Sequence, residues 1–320
     1  MKVLIIGGTS FVGRHIVEKL LENGHEVVLF NRGKSNPGIF PELRRIIGDR
    51  RKDAVKLANE RWDAVIDTSA YTPADLQPIL ENITTDHYTF ISTISVYNNF
   101  KQGPVKENVP VPEVEVEGDD VTGETYGPFK VMCERLIEER LSDEALIIRP
   151  GIVVGPADPT DRFTYWAIKL NGTGPILIPG TKTRKLQWID ARDLAEFTVS
   201  QIEKKATGVF NVVADPVSME EFVSGVAFGE AETVWVDDRY LLGEGLQAFE
   251  LPFWIPISAD FPEGFMLVDN EKAKNEGLTF RSLEESAKDT LQWSRTEGLS
   301  LLKAGIDEEK ERDLLKKLKI

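Results

Sequence analysis

The sequence contains very little cysteine and histidine. Among its 320 residues, one is a cysteine, Cys133, and three are histidines, His15, His25 and His87. A single thiol cannot form an internal disulfide, which is typical of a protein from a reducing compartment. Three histidines so far apart in the sequence offer few ligands for zinc, so we expect no metal site.

Basic residues are outnumbered, and long apolar runs are missing. The chain has 38 Lys and Arg against 53 Asp and Glu, and the resulting net charge of −15 is spread along it. Nucleic acids and membrane surfaces are polyanionic and need a basic face, so we expect neither as a partner. The apolar run at residues 3–6 is too short for a secretory signal, and no later run approaches a membrane span. We expect a soluble cytoplasmic protein that acts on a small molecule; its oligomeric state, including a homodimer, stays open.

Short apolar runs alternate with segments of helical periodicity across the first half of the chain. This alternation is typical of a parallel sheet with crossover helices, and the hydrophobic fraction of 41% is that of a globular protein. The predicted strands are residues 3–6, 27–30, 45–47, 64–66, 88–92 and 145–148, with a later strand at 209–213. We therefore predict an α/β fold, a Rossmann-like doubly wound parallel sheet with a smaller C-terminal substrate-binding lobe.

The strict alternation fades after Pro150, which indicates where the second lobe begins. We predict that residues 1–155 form the sheet domain and that segments at about 186–213 return to it. Residues 156–320 are then mostly the substrate lobe and the C-terminal helices.

Three later segments carry predictions of their own. Residues 101–125, rich in proline, valine and acid, are long for a connection in a compact domain and predict a lid or a mobile loop. Ser218 followed by Glu221 predicts a capping box at the start of a helix. Residues 307–320 predict an amphipathic, charged helix.

The first predicted strand runs directly into a glycine-rich turn, with a helix predicted to open at Gly13. In such a turn, backbone N–H groups can reach a pyrophosphate at the positive end of the helix dipole. Glycines that serve only a structural turn are the alternative, and Ser10 stands where a third glycine often lies. We predict a dinucleotide site built by Gly7, Gly8, Thr9, Ser10, Phe11, Val12 and Gly13.

The second predicted strand ends in Asn31 and Arg32 and not in an acid. An acid would accept from the adenosine ribose hydroxyls, whereas a guanidinium pairs with a 2′-phosphate, so NADP is favoured over NAD. A solvated loop arginine is the alternative. Asp49, after the third strand, could accept from the adenine amine or be an exposed turn residue. Thr68, after the fourth strand, completes the cofactor candidates, and residues 1–155 are predicted to be the NAD(P)-binding domain.

Tyr126 and Lys130 form a Y-x-x-x-K pattern at the start of a strong helical segment, which places both side chains on one face. A phenol that works as an acid or base near neutrality needs its pKa to fall by about 3, which is roughly 4 kcal/mol. One ammonium at about 4 Å supplies a comparable free energy at an effective dielectric constant of about 20. The pair is therefore energetically sufficient for proton transfer. A packed aromatic beside a solvated lysine is the alternative.

Thr93 closes the predicted fifth strand. Ligands of open α/β sheets bind at the carboxyl ends of the strands, so Thr93 is placed to hydrogen-bond a reacting oxygen. Ser95, two residues later, is the rival candidate. An ordinary strand-end hydroxyl that caps the next segment is the alternative for each.

Five segments in register carry a family resemblance: GGTSFVG, STISVY, YGPFK, RPGIVVGP and QWIDARDLA. Together they resemble the extended and atypical short-chain dehydrogenase/reductase superfamily, in its NAD-dependent epimerase/dehydratase group, through about Val213. The resemblance implies that Thr93, Tyr126 and Lys130 form a catalytic triad. It also implies that Lys130 holds the nicotinamide ribose.

The chain departs from the dehydratases of this group. Those enzymes follow the triad threonine with an Asp-Glu pair, and Ile94 and Ser95 stand there instead. Elimination of water by that route therefore lacks its acid and its base.

It also departs from the nucleotide-sugar epimerases of the group. Ile152 stands where they carry an asparagine, and Leu186 where they carry a diphosphate-binding arginine, although Arg184 and Lys185 are adjacent. These replacements argue against a nucleotide-sugar substrate.

We predict an NAD(P)-dependent oxidoreductase that transfers hydride at a carbinol or ketone carbon of a small molecule. A nucleotide-sugar epimerase is one alternative. A non-catalytic cofactor-binding sensor or an RNA-binding protein is another, and RNA would need a local basic patch such as Lys182, Arg184 and Lys185. The substrate and the direction of the reaction stay open.

Overall fold

The computed structural model describes residues 1–101, 103–141, 144–299 and 301–318. The strands are β1 (Lys2–Ile6), β2 (Glu26–Asn31), β3 (Arg44–Ile47), β4 (Arg61–Trp62), β5 (Ala64–Asp67), β6 (Thr84–Thr85), β7 (Tyr88–Ile91), β8 (Ala145–Pro150), β9 (Ile152–Val154), β10 (Thr173–Pro179), β11 (Lys185–Leu186), β12 (Trp188–Asp190), β13 (Gly208–Val212), β14 (Val217–Ser218) and β15 (Glu230–Val236). The helices are α1 (Phe11–Glu22), α2 (Pro73–Asn82), α3 (Tyr126–Leu141), α4 (Arg162–Lys169), α5 (Ala191–Glu203), α6 (Met219–Val226), α7 (Asp238–Gly243), α8 (Glu271–Asn275), α9 (Leu283–Thr296) and α10 (Glu308–Lys317).

A parallel sheet of seven strands forms the centre of the molecule, in the order β13-β8-β7-β5-β1-β2-β3. The chain builds β1, β2 and β3 outward in one direction and then crosses back to build β5, β7, β8 and β13 in the other. The strand order therefore reverses between β1 and β5, where the crevice at the carboxyl ends of the strands accepts ligands in folds of this kind. The predicted fold class, a Rossmann-like α/β sheet, is confirmed.

Apolar side chains cover both faces of the sheet, as parallel strands flanked by helices require. Along β1 the side chains alternate between two cores. Val3 and Ile5 pack with residues of α1 and α5, whereas Leu4 and Ile6 pack with residues of α2 and α3. The apolar runs were readable as strands because both faces of each strand are buried.

All seven predicted strands belong to this sheet, and their ends differ by one or two residues at most. The predicted start of the first helix at Gly13 is wrong, because α1 begins at Phe11. Ser10 is extended, with φ −137°, and Arg14 N donates to Ser10 O at 3.2 Å. The chain reversal is thus complete by Ser10, and Gly13 falls inside the first helical turn.

A further core lies in the second lobe, between α4, α6, α9, α10 and the parallel pair β10 and β15. Phe222 is at its centre and contacts four aromatic rings at centroid distances of 5.3 to 6.4 Å. The partners are Phe163, Trp166, Trp188 and Phe253. These aromatic side chains are core of the lobe.

Two later segments rejoin the sheet domain. β12 pairs in parallel with β9, β13 pairs with β8 at the edge of the sheet, and α5 packs on α1. These contacts fall within the segment predicted to return at about 186–213. The boundary near residue 155 stays a prediction.

The described residues of segment 103–125 contain no helix or named strand, but several points tie the segment down. Val105 is buried and bridges Val268, and its carbonyl accepts from Asn211 Nδ2 at 3.0 Å. Farther along, Arg135 Nη2 donates to Pro112 O at 2.9 Å. A lid function for this segment stays a prediction, and Gln102 lies outside the described residues.

The predicted helix starts in the second lobe are present. Ser218 Oγ accepts from Glu221 N at 3.1 Å, and Glu221 accepts in return from Ser218 N at 2.6 Å, which completes the capping box of α6. Asp307 caps α10 by accepting from Lys310 N at 2.8 Å. The predicted helix at 307–320 thus spans Glu308–Lys317, and residues 319–320 lie outside the described part.

The three histidines serve separate contacts. A ring nitrogen of His15 lies near Pro156 O, one of His25 lies near Glu203, and one of His87 lies near Ala206 O. Within the described ranges, no three His, Cys, Asp or Glu side chains are grouped to hold a metal ion. Over the same ranges, no helix has the length and apolar character needed to cross a bilayer.

Candidate active site

A cleft of about 560 Å³ lies at the carboxyl ends of β1, β2, β3 and β5, at the reversal of strand order. Every predicted cofactor residue except Lys130 lines this cleft. These residues are Gly7, Gly8, Thr9, Ser10, Phe11, Val12, Gly13, Asn31, Arg32, Asp49 and Thr68. The structure therefore brings the candidates together, and their contact with a cofactor stays a prediction.

In the glycine turn, the surrounding atoms leave no room for a side chain at Gly7 or Gly13. Gly7 has φ +108°, and a Cβ there would lie 2.5 Å from Thr68 Oγ1. A Cβ at Gly13 would lie 2.9 Å from Gly8 N. The backbone of the turn is consequently bare at the N terminus of α1, where the helix dipole and free N–H groups favour a phosphate. These features fit the pyrophosphate of a dinucleotide.

Asn31 holds this turn in place from the end of β2. Its Nδ2 donates to Gly7 O at 2.8 Å, and its Oδ1 accepts from Gly33 N at 3.0 Å. Asn36 adds a bond from Nδ2 to Thr9 O at 2.7 Å. The amide of Asn31 is thus engaged by the protein, which points to a positioning role.

Two exposed cations stand beside the end of β2. Arg32 and Lys34 both line the cleft, and neither makes an ion pair with the described residues. Their charges are therefore available to an anionic ligand. Lys34 was not among the sequence candidates, although it lies two residues after Arg32.

Two further arginines line the cleft but are already paired. Arg50 binds Asp67 at the end of β5, and Arg51 bonds Asp75 and Asp119 at 2.6 Å each. They belong to a basic run that follows Asp49 directly. The run was visible in the sequence, but its acidic partners were not, because they come from distant segments.

Asp49 and Thr68 also have protein partners. Asp49 Oδ1 accepts from Arg51 N at 2.9 Å, while Thr68 Oγ1 donates to Ile6 O at 3.0 Å. Asp49 lines the cleft, and both interpretations given above stay open.

The three predicted catalytic residues come from neighbouring elements. Tyr126 is the first residue of α3, and the Thr93 side chain just beyond β7 is near enough to its hydroxyl to lower the pKa of the phenol. Thr93 Oγ1 also accepts from Ser95 N at 3.1 Å. Ser95 is exposed, whereas Thr93 is buried. Thr93 is thus the one of the two that is both buried and near Tyr126, and the choice between them stays a prediction.

Lys130 lies one helical turn after Tyr126 and is only 4% exposed. Its Nζ donates to Ala70 O and to Ile91 O, each at 2.8 Å. Burial lowers the pKa of Lys130 from 10.5 to about 8. The alternative of a solvated lysine is thus wrong, because the ammonium is held between the ends of two strands.

The pKa of Tyr126 is raised in this structure, and the effect of Lys130 on it stays a prediction. Burial raises the pKa of Tyr126 above its usual value of 10.0, and the Thr93 side chain and the charge of Arg162 offset this only in part. The ammonium of Lys130 is turned toward two backbone carbonyls. Arg162, at the start of α4, is a cation near the tyrosine that sequence reasoning missed.

A buried network of hydrogen bonds connects the elements that carry the candidate catalytic residues. Glu134, on α3, accepts from Ser92 Oγ and from the guanidinium of Arg149 on β8. Arg149 Nη1 donates to the Tyr97 hydroxyl, which donates to Asn211 Oδ1, each at 2.8 Å. The network joins α3 to the turn that begins at Thr93, and nothing in the sequence pattern indicated it.

Comparisons with known proteins agree with this geometry. Residues 3–213 match the family model described as the NAD dependent epimerase/dehydratase family. A chloroplast stem-loop binding protein of 41 kDa (b) from Arabidopsis thaliana is 28% identical over 230 residues, which cover 66% of this chain and 58% of that protein. The chain thus spans 58% of that relative's length.

Two others match over nearly their whole length. The ketoreductase azaE from Aspergillus niger is 24% identical, with 91% of this chain and 96% of that one covered. UDP-glucose 4-epimerase from Thermotoga maritima, solved with UDP-glucose, has a TM-score of 0.69 at 18% identity and covers 93% of this chain and 100% of its own. This likeness concerns the fold.

The family match covers more than half of the chain, including the glycine turn and all three predicted catalytic residues. It confirms the predicted class of protein, an NAD(P)-dependent enzyme of the reductase or epimerase type, whose exact reaction is open. By this match, the chain belongs to the NAD-dependent epimerase/dehydratase family.

Proposed function

We propose that the protein is an NAD(P)-dependent oxidoreductase that acts at a carbinol or ketone carbon of a small molecule. The observation that carries this proposal is the Tyr126 hydroxyl, which lies near Thr93 and one helical turn from the buried Lys130. The test is ketone-dependent oxidation of reduced cofactor, followed by absorbance across a panel of ketones. If the chain binds NADPH but none of the ketones in the panel leads to its oxidation, the proposal is contradicted.

Each residue of the site has its own role in the proposed reaction. Tyr126 holds the proton that is transferred to or from the reacting oxygen, and Thr93 orients that oxygen. Lys130 uses two of its three N–H donors on Ala70 O and Ile91 O, so one donor remains for the ribose of the cofactor. A bound nicotinamide supplies the hydride donor or acceptor.

The raised pKa of Tyr126 suits reduction. A phenol whose pKa lies above 10.0 is protonated at neutral pH, and a ketone oxygen that becomes an alkoxide needs a donor. We therefore infer that the hydroxyl of Tyr126 is the acid in the reductive direction.

NADPH is expected to bind more tightly than NADH by at least about tenfold, because a charge-assisted bond contributes about 1.5 to 3 kcal/mol. Arg32, with Lys34 beside it, offers the free positive charge that a 2′-phosphate needs. Arg32→Asp should reverse the order of the two affinities in a calorimetric titration.

The matched control is Lys52→Glu, which makes the same change of charge on an exposed residue that does not line the cleft. It should leave the ratio of NADPH to NADH affinity unchanged. Equal affinities of the wild type for the two cofactors would remove the NADP preference.

Nucleotide-sugar epimerisation is the second candidate, favoured by the fold shared with UDP-glucose 4-epimerase. We nevertheless expect UDP-, GDP- and dTDP-sugars not to bind at micromolar concentration. Ile152 and Leu186 offer no donor or charge to a diphosphate, which carries about two negative charges and needs several donors. Thermal-shift and calorimetric screening of the cofactor-loaded chain, beside uncharged sugars and ketones, measures this. Micromolar binding that is lost in Arg184→Ala would restore the epimerase interpretation.

RNA binding is not favoured by the proposed basic patch. Lys182 pairs with Glu220 at 2.8 Å, and Lys185 lies 3.5 Å from Glu221. Arg184 is half-buried, so little free positive charge remains at this surface for a phosphate backbone.

A further inference from the structure

A bidentate ion pair joins the ends of two strands at the cleft of the candidate active site. Arg50 follows β3 and lines the cleft, and Asp67 is the last residue of β5. Arg50 Nη1 donates to Asp67 Oδ1 at 3.0 Å, and Arg50 Nη2 donates to Asp67 Oδ2. Asp67 has no exposed surface and Arg50 has little, so both charges are largely removed from water. Burial of two charges costs about as much free energy as their attraction returns, which points to a role other than stability.

Asp67 is the centre of the hydrogen bonds that fix the loop after β5. Its Oδ1 accepts from Ser69 N at 3.0 Å and from Ala70 N at 3.1 Å. Its Oδ2 accepts from the Tyr88 hydroxyl at 3.1 Å. Arg50 contacts the same loop, since its Nη1 lies 3.1 Å from Ser69 Oγ. The two charged side chains therefore set the conformation of this loop together.

The loop carries one of the two carbonyls that hold Lys130. Ala70 O accepts from Lys130 Nζ at 2.8 Å, and Ala70 N is bonded to Asp67. A single residue, Ala70, thus separates the carboxylate from the ammonium. Tyr71, the next residue, places its ring 5.4 Å from the same ammonium. Any movement of this loop would therefore change the surroundings of Lys130.

We propose that Arg50 and Asp67 are positioning residues for Lys130. Arg50 orients the carboxylate of Asp67, the carboxylate orients the backbone of Ala70, and the Ala70 carbonyl fixes the place of the Lys130 ammonium. The pair acts on the reaction through Lys130. This inference rests on the proposed function, since it extends the role that Lys130 has there.

The two members of the pair also act on the charge of Lys130 in opposite ways. The carboxylate of Asp67 favours the ammonium and raises its pKa, whereas the guanidinium of Arg50 disfavours it and lowers its pKa. Removing one charge leaves the effect of the other unbalanced. Further titratable side chains around Lys130 and the pair stay in every variant, namely Tyr71, Asp75, Tyr88, Tyr126, Cys133 and Glu134.

The first test is the pKa of Lys130, measured by NMR titration of the lysine side-chain signals of the full chain. The signal of Lys130 is assigned by its loss in Lys130→Met. Arg50→Gln should raise the pKa by at least about 0.5, and Asp67→Asn should lower it by at least about 0.5. The double variant Arg50→Gln/Asp67→Asn, in which both charges are gone, should have a pKa between those of the single variants.

The second test is turnover in the same variants. Each single substitution should lower kcat by at least about tenfold, because a displaced catalytic group is costly. The double variant should recover most of this loss, since two neutral amides can bond each other and still hold the loop. Thermal unfolding checks that each variant is folded at the assay temperature. If Arg50→Gln does not fold, Asp67→Asn and the double variant decide, because the first leaves one charge and the second none.

The matched control is Arg281→Gln, which also leaves a buried carboxylate without its arginine. Arg281 pairs with Asp193 on α5 and does not line the cleft. The pKa of Lys130 and kcat should both stay at their wild-type values. An ion pair that serves stability alone would lower the unfolding temperature of the single variants and leave the pKa of Lys130 in place.

That result would overturn the proposal, as would shifts of the same sign in both single variants or an unchanged kcat in both. The NMR titration uses no turnover, so it separates the two proposals. If the pKa shifts as expected but no ketone leads to oxidation of NADPH, the redox function is contradicted and the pair still positions Lys130. If ketones are reduced but the pKa does not respond, the role of the ion pair alone is contradicted.

Discussion

Tyr126→Phe is expected to lower kcat by at least about a thousandfold and to change NADPH affinity by less than about twofold. The substitution removes the titrating hydroxyl near Thr93 but keeps the ring at the start of α3. The measurement is ketone-dependent oxidation of NADPH, paired with calorimetric titration of NADPH. A large loss of kcat with intact cofactor binding assigns the hydroxyl to the chemical step.

The control for this substitution is Tyr165→Phe in the second lobe. Tyr165 is buried, and its hydroxyl makes no hydrogen bond with the described residues, so its removal should leave kcat and stability nearly unchanged. If Tyr126→Phe retained turnover, or lost NADPH affinity as strongly as turnover, Tyr126 would be a structural residue.

The parts of this protein that sequence predicted well depend on local pattern. Strands buried on both faces must be apolar along their whole length, so all seven strands of the sheet could be located. Gly7 at positive φ and Gly13 against the backbone of Gly8 leave glycine as the fitting residue, so the turn could be recognised. Because both features end at one edge of the sheet, the cofactor candidates could be assembled into one site.

The parts that sequence could not predict depend on how side chains from distant segments meet. The spacing of Tyr126 and Lys130 placed them on one helix face, but it could not show that Lys130 turns to Ala70 O and Ile91 O. The direction of the Tyr126 pKa shift followed from burial, which the pattern does not reveal. The pairing of Arg50 with Asp67 is likewise a contact between remote loops.

Lys130→Met is expected to harm both turnover and cofactor binding. If the third donor of Lys130 holds the ribose, its loss should weaken NADPH affinity by at least about tenfold, because a bond to a charged group contributes about 1.5 to 3 kcal/mol. We expect kcat to fall by at least about a hundredfold, since the ammonium beside the reacting groups is lost. Calorimetric titration and the ketone assay measure the two effects. Unchanged NADPH affinity would contradict a ribose contact.

The same substitution should alter stability in a way that depends on pH. Burial lowers the pKa of Lys130 from 10.5 to about 8, so folding disfavours its charged form. Burial of the charged lysine therefore lowers the unfolding free energy. This effect is fully present below pH 8 and fades as pH rises toward 10.5, where the unfolded chain also loses the proton.

In Lys130→Met this destabilisation is absent at every pH. The variant also leaves the carbonyls of Ala70 and Ile91 unpaired, which lowers its unfolding free energy but does not alter the expected pH dependence. Between about pH 7 and about pH 9.5, the unfolding free energy of the wild type should therefore rise by about 2 kcal/mol relative to that of the variant. Urea unfolding of both proteins at each pH measures the difference. Lys204→Met, which removes a half-exposed lysine near Glu276, should show no such change. A difference that stays constant with pH would mean that Lys130 keeps an ordinary pKa, and that its two carbonyl bonds offset the cost of its burial.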